Sequence, residues 1–386
     1  FVDISQIPLS AVDGVEVVVD GASAIYGSDA VGGVVNFILR QDFDGVEARG
    51  QAGFGNGFDR YTLGAAAGKT WSNGQVFLAV EYFKQSNLSA ADRRFYTADL
   101  RPFGGPNLEI ANSSPGNITA GGISYAIPRG QNGVGLTAAS LNPGTANFTP
   151  RWSGADILPE TEKFSAAGVF TQELTPGLTL TLDGLASRRK SIRRAEAYVA
   201  TLTVPRSNPF FVNPDPAAQS TTVLYSFLGD FGAQATGGIS QDASLHGAFE
   251  VELPGRWRAE LGGLISRNSV SFRNDDLPNT TLLNLALADP DPRTAFNPFG
   301  DAGSNAQGVL DRVRGYSDTL SRTSLESVGL DADGPLFSLP AGELRLALGA
   351  EVRRETLRTY SPRFTSGLAP SARSSRLSRS VEAAYV

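Results

Sequence analysis

Long segments in which apolar and polar residues alternate constrain this chain more than any other feature of its sequence. In ELRLALGAEVRRE, residues 343–355, every even-numbered position from Leu344 to Val352 is apolar, whereas the odd-numbered positions include Glu343 and Arg345. Successive side chains of a β-strand point to opposite faces, so this segment predicts a strand with one apolar face and one polar face. The same alternation recurs in two further segments, RWRAELGGLI (256–265) and VEARGQAGF (46–54).

The connections between the predicted strands alternate between short turns and long loops. The predicted strands are 59–70, 75–85, 161–173, 178–195, 240–252, 256–273, 316–333 and 343–358, preceded by a hairpin through GFGNGFD and followed by a strand after about residue 376. Strands within a pair are joined by short turns such as WSNG and LPGR, whereas tens of residues separate the pairs. Long structureless loops are rare in soluble domains, and this asymmetry is typical of transmembrane β-barrels.

The fold class that follows is all-β, a transmembrane antiparallel barrel whose apolar strand faces contact lipid. A soluble β-sandwich would show the same alternation with its apolar faces packed together, and this alternative stays open, as does a solenoid. No repeat of 20–50 residues is visible, which counts against a solenoid or a propeller. No run of about 18 apolar residues exists either, so the sequence predicts no membrane-spanning helix.

Composition narrows the chemistry. The chain contains no cysteine and a single histidine, His246, which excludes a disulfide framework, a thiolate metal site and a multi-histidine site. The net charge of −6 disfavours nucleic-acid binding. We predict no catalytic residue, cofactor or metal site, and we do not expect an enzyme, although spacing alone does not exclude a pair of glycosidase carboxylates. Acidic pairs in loops leave calcium as an alternative, namely Asp275/Asp276, Asp289/Asp291 and Asp331/Asp333.

A small-residue cassette, DGASAIYGSDAVGGVVNFILRQDFDG at residues 20–45, precedes the alternating segments. It lacks the lysine of a phosphate loop, and a β-branched strand follows it where a helix would be needed. The wider segment IPLSAVDGVEVVVDGASAIYGSDAVGGVVNFILRQDFDG, residues 7–45, resembles the C-terminal part of the plug domain of TonB-dependent outer-membrane receptors. The residues that carry the resemblance include Asp20, Gly21, Ala22, Ser23, Tyr26, Gly27, Gly32, Gly33 and Asn36.

The resemblance implies a division of the chain. Residues 1–45 would be the C-terminal part of a plug domain, and residues 46–386 would supply about the first ten strands of a 22-stranded barrel. The sequence begins at Phe1 and ends at Val386 inside strand-like segments, so we expect a fragment.

The resemblance also implies a function. It predicts active uptake of a scarce small-molecule ligand, such as a siderophore, cobalamin or an oligosaccharide, by a monomer in the outer membrane of a Gram-negative bacterium. Energy would come from TonB, which grips a box at the receptor's N-terminus that this chain lacks. A passive porin or adhesin barrel without energy coupling is the alternative, and a soluble glycan-binding β-protein or glycosidase is a third class.

Charged residues supply the remaining candidate contacts. The family usually carries a basic residue where this chain has Val19 and a charged residue where it has Gly14, so this chain lacks the family's usual basic partner for a plug-to-wall ion pair at Val19. Candidates for plug–barrel or lumen contacts are Glu16, Arg40, Glu81, Glu351 and Glu382, with simple lumen hydration as the alternative.

Two basic runs fall at the long-loop ends of strands: RRKSIRR (188–194) and the arginines between 353 and 379. We expect outer-membrane lipid and lipopolysaccharide as partners there, with a solvated or lumen-facing cluster as the alternative. The candidate phosphate contacts are Arg188, Arg189, Lys190, Arg193 and Arg194.

Overall fold

A computed structural model of the chain describes residues 4–19, 31–340 and 342–386. The structure is predominantly β-sheet. Its strands are β1 (Val12–Val18), β2 (Val34–Leu39), β3 (Gly45–Gly55), β4 (Phe58–Trp71), β5 (Gly74–Gln85), β6 (Leu88–Ser89), β7 (Asn117–Ala120), β8 (Ile123–Ala126), β9 (Asn142–Pro143), β10 (Asp156–Leu158), β11 (Glu160–Thr175), β12 (Leu178–Arg194), β13 (Val199–Pro205), β14 (Ser220–Ser226), β15 (Ala235–Leu253), β16 (Trp257–Pro278), β17 (Arg314–Leu339), β18 (Gly342–Arg363) and β19 (Ser371–Tyr385). Its α-helices are α1 (Leu228–Phe231), α2 (Thr280–Ala288) and α3 (Gln307–Val313). Within the described ranges, no helix has both the length and the apolar character needed to cross a membrane.

Ten of these strands form one antiparallel meander in the order β19-β18-β17-β16-β15-β12-β11-β5-β4-β3. Neighbours in this sheet are also neighbours in the chain once the long insertions after β5 and β12 are passed over. Tight turns join the strands at one end, as at Gly177, whose φ of +80° suits the glycine between β11 and β12. In the described residues the sheet is open, because β3 and β19 are edges that do not pair with each other.

The register of the meander sorts its residues onto two faces. One row across five strands contains Leu182, Gly247, Gly263, Val328 and Val352. We call the side of this row the apolar face and the opposite side the polar face.

The apolar face is uncovered in the described part of the chain. Ile265, Val328 and Val352 are 53%, 59% and 58% exposed, so this face is not the core of a sandwich. On β18 the apolar positions run from Leu344 to Val352, a span of about 26 Å at roughly 3.3 Å per residue. These nine residues match the roughly 9–11 that a tilted transmembrane β-strand needs.

The long connections are not structureless, contrary to the expectation from sequence. Strands β13, β14, β7, β8 and β9 form a second sheet in that order, and α2 and α3 pack beside it. We call this unit the cap. Its core draws residues from three separate connections, including Ile118, Val204, Val223, Tyr225, Phe227, Leu287, Phe296, Phe299 and Val313. The apolar residues of each insertion become buried only when the three insertions pack together. No single insertion therefore shows the apolar pattern of a core in its sequence.

The N-terminal segment lies on the polar face. Two short 3₁₀ turns, Ile4–Gln6 and Leu9–Ala11, lead into the β1–β2 hairpin. Ala11 is fully buried in a small apolar cluster with Ala66, Phe77 and Ala167 of the sheet. The segment therefore covers part of β4, β5 and β11.

Candidate functional site

Glu81 of β5 and Lys163 of β11 hold the N-terminal segment against the polar face. Each side chain is only 9% exposed, and Lys163 Nζ lies 3.1 Å from Glu81 Oε1. The second carboxylate oxygen, Oε2, accepts the Leu9 N–H at 3.1 Å. Lys163 Nζ also donates to the Ser5 carbonyl oxygen at 2.5 Å. We call these four residues the segment anchor.

Strand register explains why the two charges meet. Glu81 pairs with Ser165 and Phe83 pairs with Lys163, so Glu81 and Lys163 are diagonal neighbours on one face. The Lys163 ammonium also lies 5.6 Å from the Phe83 ring centre, within range of a cation–π contact. A buried ion pair tolerates loss of water only when its remaining donors and acceptors are satisfied, and here the segment's backbone satisfies them. The anchor thus depends on the segment being in place.

The expectation for Glu81 was a contact with the N-terminal segment, and the structure places it in one. Its partner there is a backbone N–H and not a basic side chain, which fits the absence of a basic residue at Val19. Lys163 was missed from sequence. Lys163 occupies one of the odd-numbered positions of the alternating segment ETEKFSAAGVF, which lie on the polar face. This alternation is the sequence signal that could have identified it.

Glu16 and Arg40 make local contacts near the N-terminus. Asn36 Nδ2 donates to Glu16 Oε2 at 3.4 Å across the β1–β2 hairpin. Arg40, just after β2, forms an ion pair with Glu47 of β3 at 2.7 Å. Arg40 therefore joins the end of the hairpin to the sheet.

Glu351 and Glu382 fall on different faces. Glu351 lies on the polar face, opposite Gly329. Glu382 instead pairs with Val352, which places it on the apolar face and corrects the expectation of a lumen position. The reason is the β18–β19 register, which the short connection of residues 364–370 does not reveal in the sequence.

Part of the glycine cassette lies outside the described residues. Asp20, Gly21, Ala22, Ser23, Tyr26 and Gly27 belong to that part, so their expected role stays a prediction. Gly33 is described and has a φ of +122°. A side chain there would collide with the Val18 carbonyl oxygen, because the hairpin backbones approach closely at that point. Gly32 has open space around it.

The basic run 188–194 is divided between the two faces. Arg188, Lys190 and Arg194 project from the apolar face, whereas Arg189 and Arg193 share the polar face. Arg194 also contacts β10, because its backbone N–H donates to Asp156 Oδ2 at 2.7 Å. The run therefore does not form one continuous phosphate-binding surface.

The acidic pairs considered for calcium contact guanidinium groups. Arg293 lies 2.6 Å from Asp291 and its hydrogen bond lowers the pKa of Asp291 to about 2. Asp289 accepts the Asp291 N–H, which lowers the pKa of Asp289. Further ion pairs include Asp275–Arg273 at 2.8 Å, Asp276–Arg314 at 2.9 Å and Asp333–Arg345 at 2.6 Å. Among the described residues, no group of three or more His, Cys, Asp or Glu is placed to hold a metal.

A buried polar cluster lies within the cap. The Tyr225 hydroxyl donates to Asp230 Oδ2 at 2.7 Å, and Asn305 Nδ2 donates to Asp230 Oδ1 at 3.4 Å. Burial raises the pKa of Asp230 and raises that of Tyr225 well above its usual value. These residues join α1 to the connection between α2 and α3, and nothing in the sequence marked them.

The polar face continues as a hydrophilic wall beyond the segment anchor. His246 Nδ1 lies 2.7 Å from Asp183 Oδ2, and Asp242 contacts the side chains of Ser240 and Asn268. Such a wall suits contact with water and polar solutes.

Comparison with known proteins gives weak similarities. No protein-family model matches the chain. The solved RagAB peptide transporter aligns with a TM-score of 0.41 and 10% identity, over 83% of this chain and 29% of that chain. The siderophore receptor PiuA from Acinetobacter baumannii aligns with a TM-score of 0.32 and 13% identity, over 97% of this chain and 51% of that chain. The chain thus spans about half or less of the length of either structure, and these values establish no family.

Proposed function

We propose that this chain is part of a TonB-dependent outer-membrane receptor that takes up a scarce small-molecule ligand. The observation that carries the proposal is the two-sidedness of the ten-stranded sheet. An uncovered apolar band lies on one face, and the N-terminal segment lies on the other. Residues 1–45 would then be the C-terminal part of a plug, and residues 46–386 the first strands of a barrel.

The apolar band supports a membrane location. Transfer of apolar surface from water to hydrocarbon stabilises by roughly 25 cal/mol per Å². Half-exposed residues such as Leu261 and Leu330 would remain in water unless lipid covers them. The tight turns would face one side of the membrane and the cap the other, as in barrels with short periplasmic turns and long extracellular loops.

The segment anchor supports a receptor with a plug. A segment bound to the polar face by a buried ion pair would narrow any channel that this face lines. A passive porin or adhesin barrel, the alternative, has no need for such an obstruction. In an energised receptor TonB would pull on an N-terminal box beyond this chain, and the anchor would hold the segment until that force acts.

The cap and the polar face would select the ligand. The cap encloses a core of its own and so presents a folded surface at the entrance. A siderophore, cobalamin, an oligosaccharide or a peptide would suit a hydrophilic wall, and none of them requires covalent chemistry by the chain.

The test uses the complete protein in the outer membrane of a Gram-negative host. Uptake of radiolabelled ferric siderophores, cobalamin and oligosaccharides is measured with and without TonB, alongside binding to the same cells on ice. We expect one ligand to be taken up only with TonB and bound in both cases. TonB-independent uptake would favour the passive alternative, and recovery of the protein without detergent would refute the membrane location.

A further inference from the structure

Six arginines from five strands lie on the apolar face, at the edge of the apolar band nearest the cap. We call them the arginine belt: Arg188, Arg267, Arg322, Arg354, Arg358 and Arg376. Each of them lies in an exposed position. A membrane-facing surface thus changes from apolar to strongly cationic within two residues, as between Val352 and Arg354.

Strand register places four of the belt residues in a single row. Following the pairing from β12 to β19, the row reads Arg188, Gln241, Ser269, Arg322, Arg358 and Arg376. Its last three members are directly opposite one another on adjacent strands, which lie about 4.8 Å apart. Like charges in directly opposite positions destabilise a sheet. A bound anion between the guanidinium groups would remove that repulsion.

The belt has almost no counter-charge within the described residues. None of its six arginines forms an ion pair there. Five of them, all except Arg188, line an open groove of about 640 Å³ together with two acids, Glu326 and Asp242. Asp242 comes from the polar face and is hydrogen-bonded to Ser240 and Asn268, which leaves Glu326 as the acid on the belt's own face.

The groove's chemistry identifies the class of ligand. Guanidinium forks bind phosphate oxygens in a bidentate manner, and this geometry is more specific than that of an ammonium group. Gln241, Ser269, Ser324 and Thr356 lie between the arginines and offer amide and hydroxyl groups that suit sugar hydroxyls. Apolar residues of the band, including Val352, begin directly beside the belt. A ligand that satisfies all three features carries phosphates, sugar and acyl chains.

We infer that the arginine belt binds the phosphate groups of a phosphorylated glycolipid whose acyl chains lie against the apolar band. This inference rests on the proposed membrane location. It also reassigns the lipid contact expected of the run 188–194, because only Arg188 of that run belongs to the belt.

The experiment compares two purified full-length variants that lose the same number of charges. The belt variant combines Arg322→Gln, Arg354→Gln, Arg358→Gln and Arg376→Gln. The control combines Arg49→Gln, Arg60→Gln, Arg363→Gln and Arg373→Gln, exposed arginines of the polar face. The probe is diphosphorylated lipid A in neutral detergent micelles, and binding is measured by native mass spectrometry and by microscale thermophoresis.

We expect the belt variant to bind lipid A several hundred times more weakly than the wild type. Each basic residue near an anionic surface contributes about 1 kcal/mol, or about a fivefold factor in affinity, and four are lost. The control should bind within about threefold of the wild type. Dephosphorylated lipid A should bind poorly to the wild type, and inorganic phosphate should not compete at the same concentration.

The outcomes separate the two proposals. Equal binding by the belt variant and the control would overturn the belt assignment while leaving the receptor proposal intact. Competition by inorganic phosphate at equal concentration would refute a lipid and indicate a free anion. Recovery of the wild type without detergent would remove the membrane premise itself. If the belt variant fails to fold, replacing the same four arginines by lysine tests the inference, because loss of the fork should weaken binding at constant charge.

Discussion

A disulfide between cysteines introduced in place of Ser10 and Gly64 would test the position of the N-terminal segment and its role in transport. Gly64 lies on the polar face of β4, and a Cβ atom built there lies 4.0 Å from Ser10 Cβ. Disulfides need Cβ atoms about 3.5–4.5 Å apart, so Ser10→Cys with Gly64→Cys meets the requirement. The Ser10 hydroxyl is buried without a hydrogen-bond partner, so its replacement breaks no hydrogen bond. The chain has no other cysteine.

The expected magnitude follows from the loop that the disulfide would close. A loop of about 54 residues corresponds to roughly 4 kcal/mol of stabilisation by the chain-entropy relation. That bond would hold the segment on the sheet against any force that stops short of breaking it. If uptake requires the segment to leave the polar face, the oxidised double variant binds ligand normally and transports almost none.

The assay is TonB-dependent uptake by whole cells before and after reduction with dithiothreitol, with thiol content determined by mass spectrometry. Each single variant serves as a control, as does Ser10→Cys with Gly50→Cys, because Gly50 lies on the apolar face beyond the reach of Ser10. Failure of the disulfide to form under oxidising conditions would refute the placement of the segment. Complete oxidation with unchanged uptake would refute the need for the segment to move.

Three further predictions concern the anchor, the cap and one surface carboxylate. Glu81→Gln alone should lower the free energy of unfolding in urea by about 3–5 kcal/mol and expose the N-terminal segment to protease, because it leaves a buried ammonium unpaired. Adding Lys163→Met should recover much of that loss. Equal losses in the single and the double variant would contradict the ion pair. Phe227→Ala should cost the cap about 3–5 kcal/mol and allow proteolysis inside it while the sheet stays folded, since Phe227 is fully buried; unchanged cleavage would contradict the cap's independent core. The pKa of Asp291 is lowered to about 2, so its ionised carboxylate contributes stability that is present above about pH 4 and is lost as the pH falls through about 2. Arg293→Gln should raise that pKa towards 3.8, as followed by NMR titration of the carboxyl carbon. An unchanged pKa would contradict the Arg293 contact.

Local features of the sequence were sufficient to locate the strands of the ten-stranded sheet and the alternation of side chains along each of them. Alternation predicted that the even-numbered residues from Leu344 to Val352 share one face, and the strand register confirms this. Side-chain direction in a strand depends only on position along that strand. The tight turns were equally accessible, since they form between residues that are adjacent in the chain.

Tertiary structure alone decided which distant residues meet. The segment anchor, the cap core and the arginine belt each join residues from separate strands or connections, and long loops leave the register between such elements undetermined. The short β18–β19 connection leaves the register open as well, and Glu382 shows the consequence, because a shift of one residue in strand pairing exchanges the two faces. The sequence therefore determined the two-sided strands, whereas packing across the sheet decided which charges are buried together and which form a row beside the apolar band.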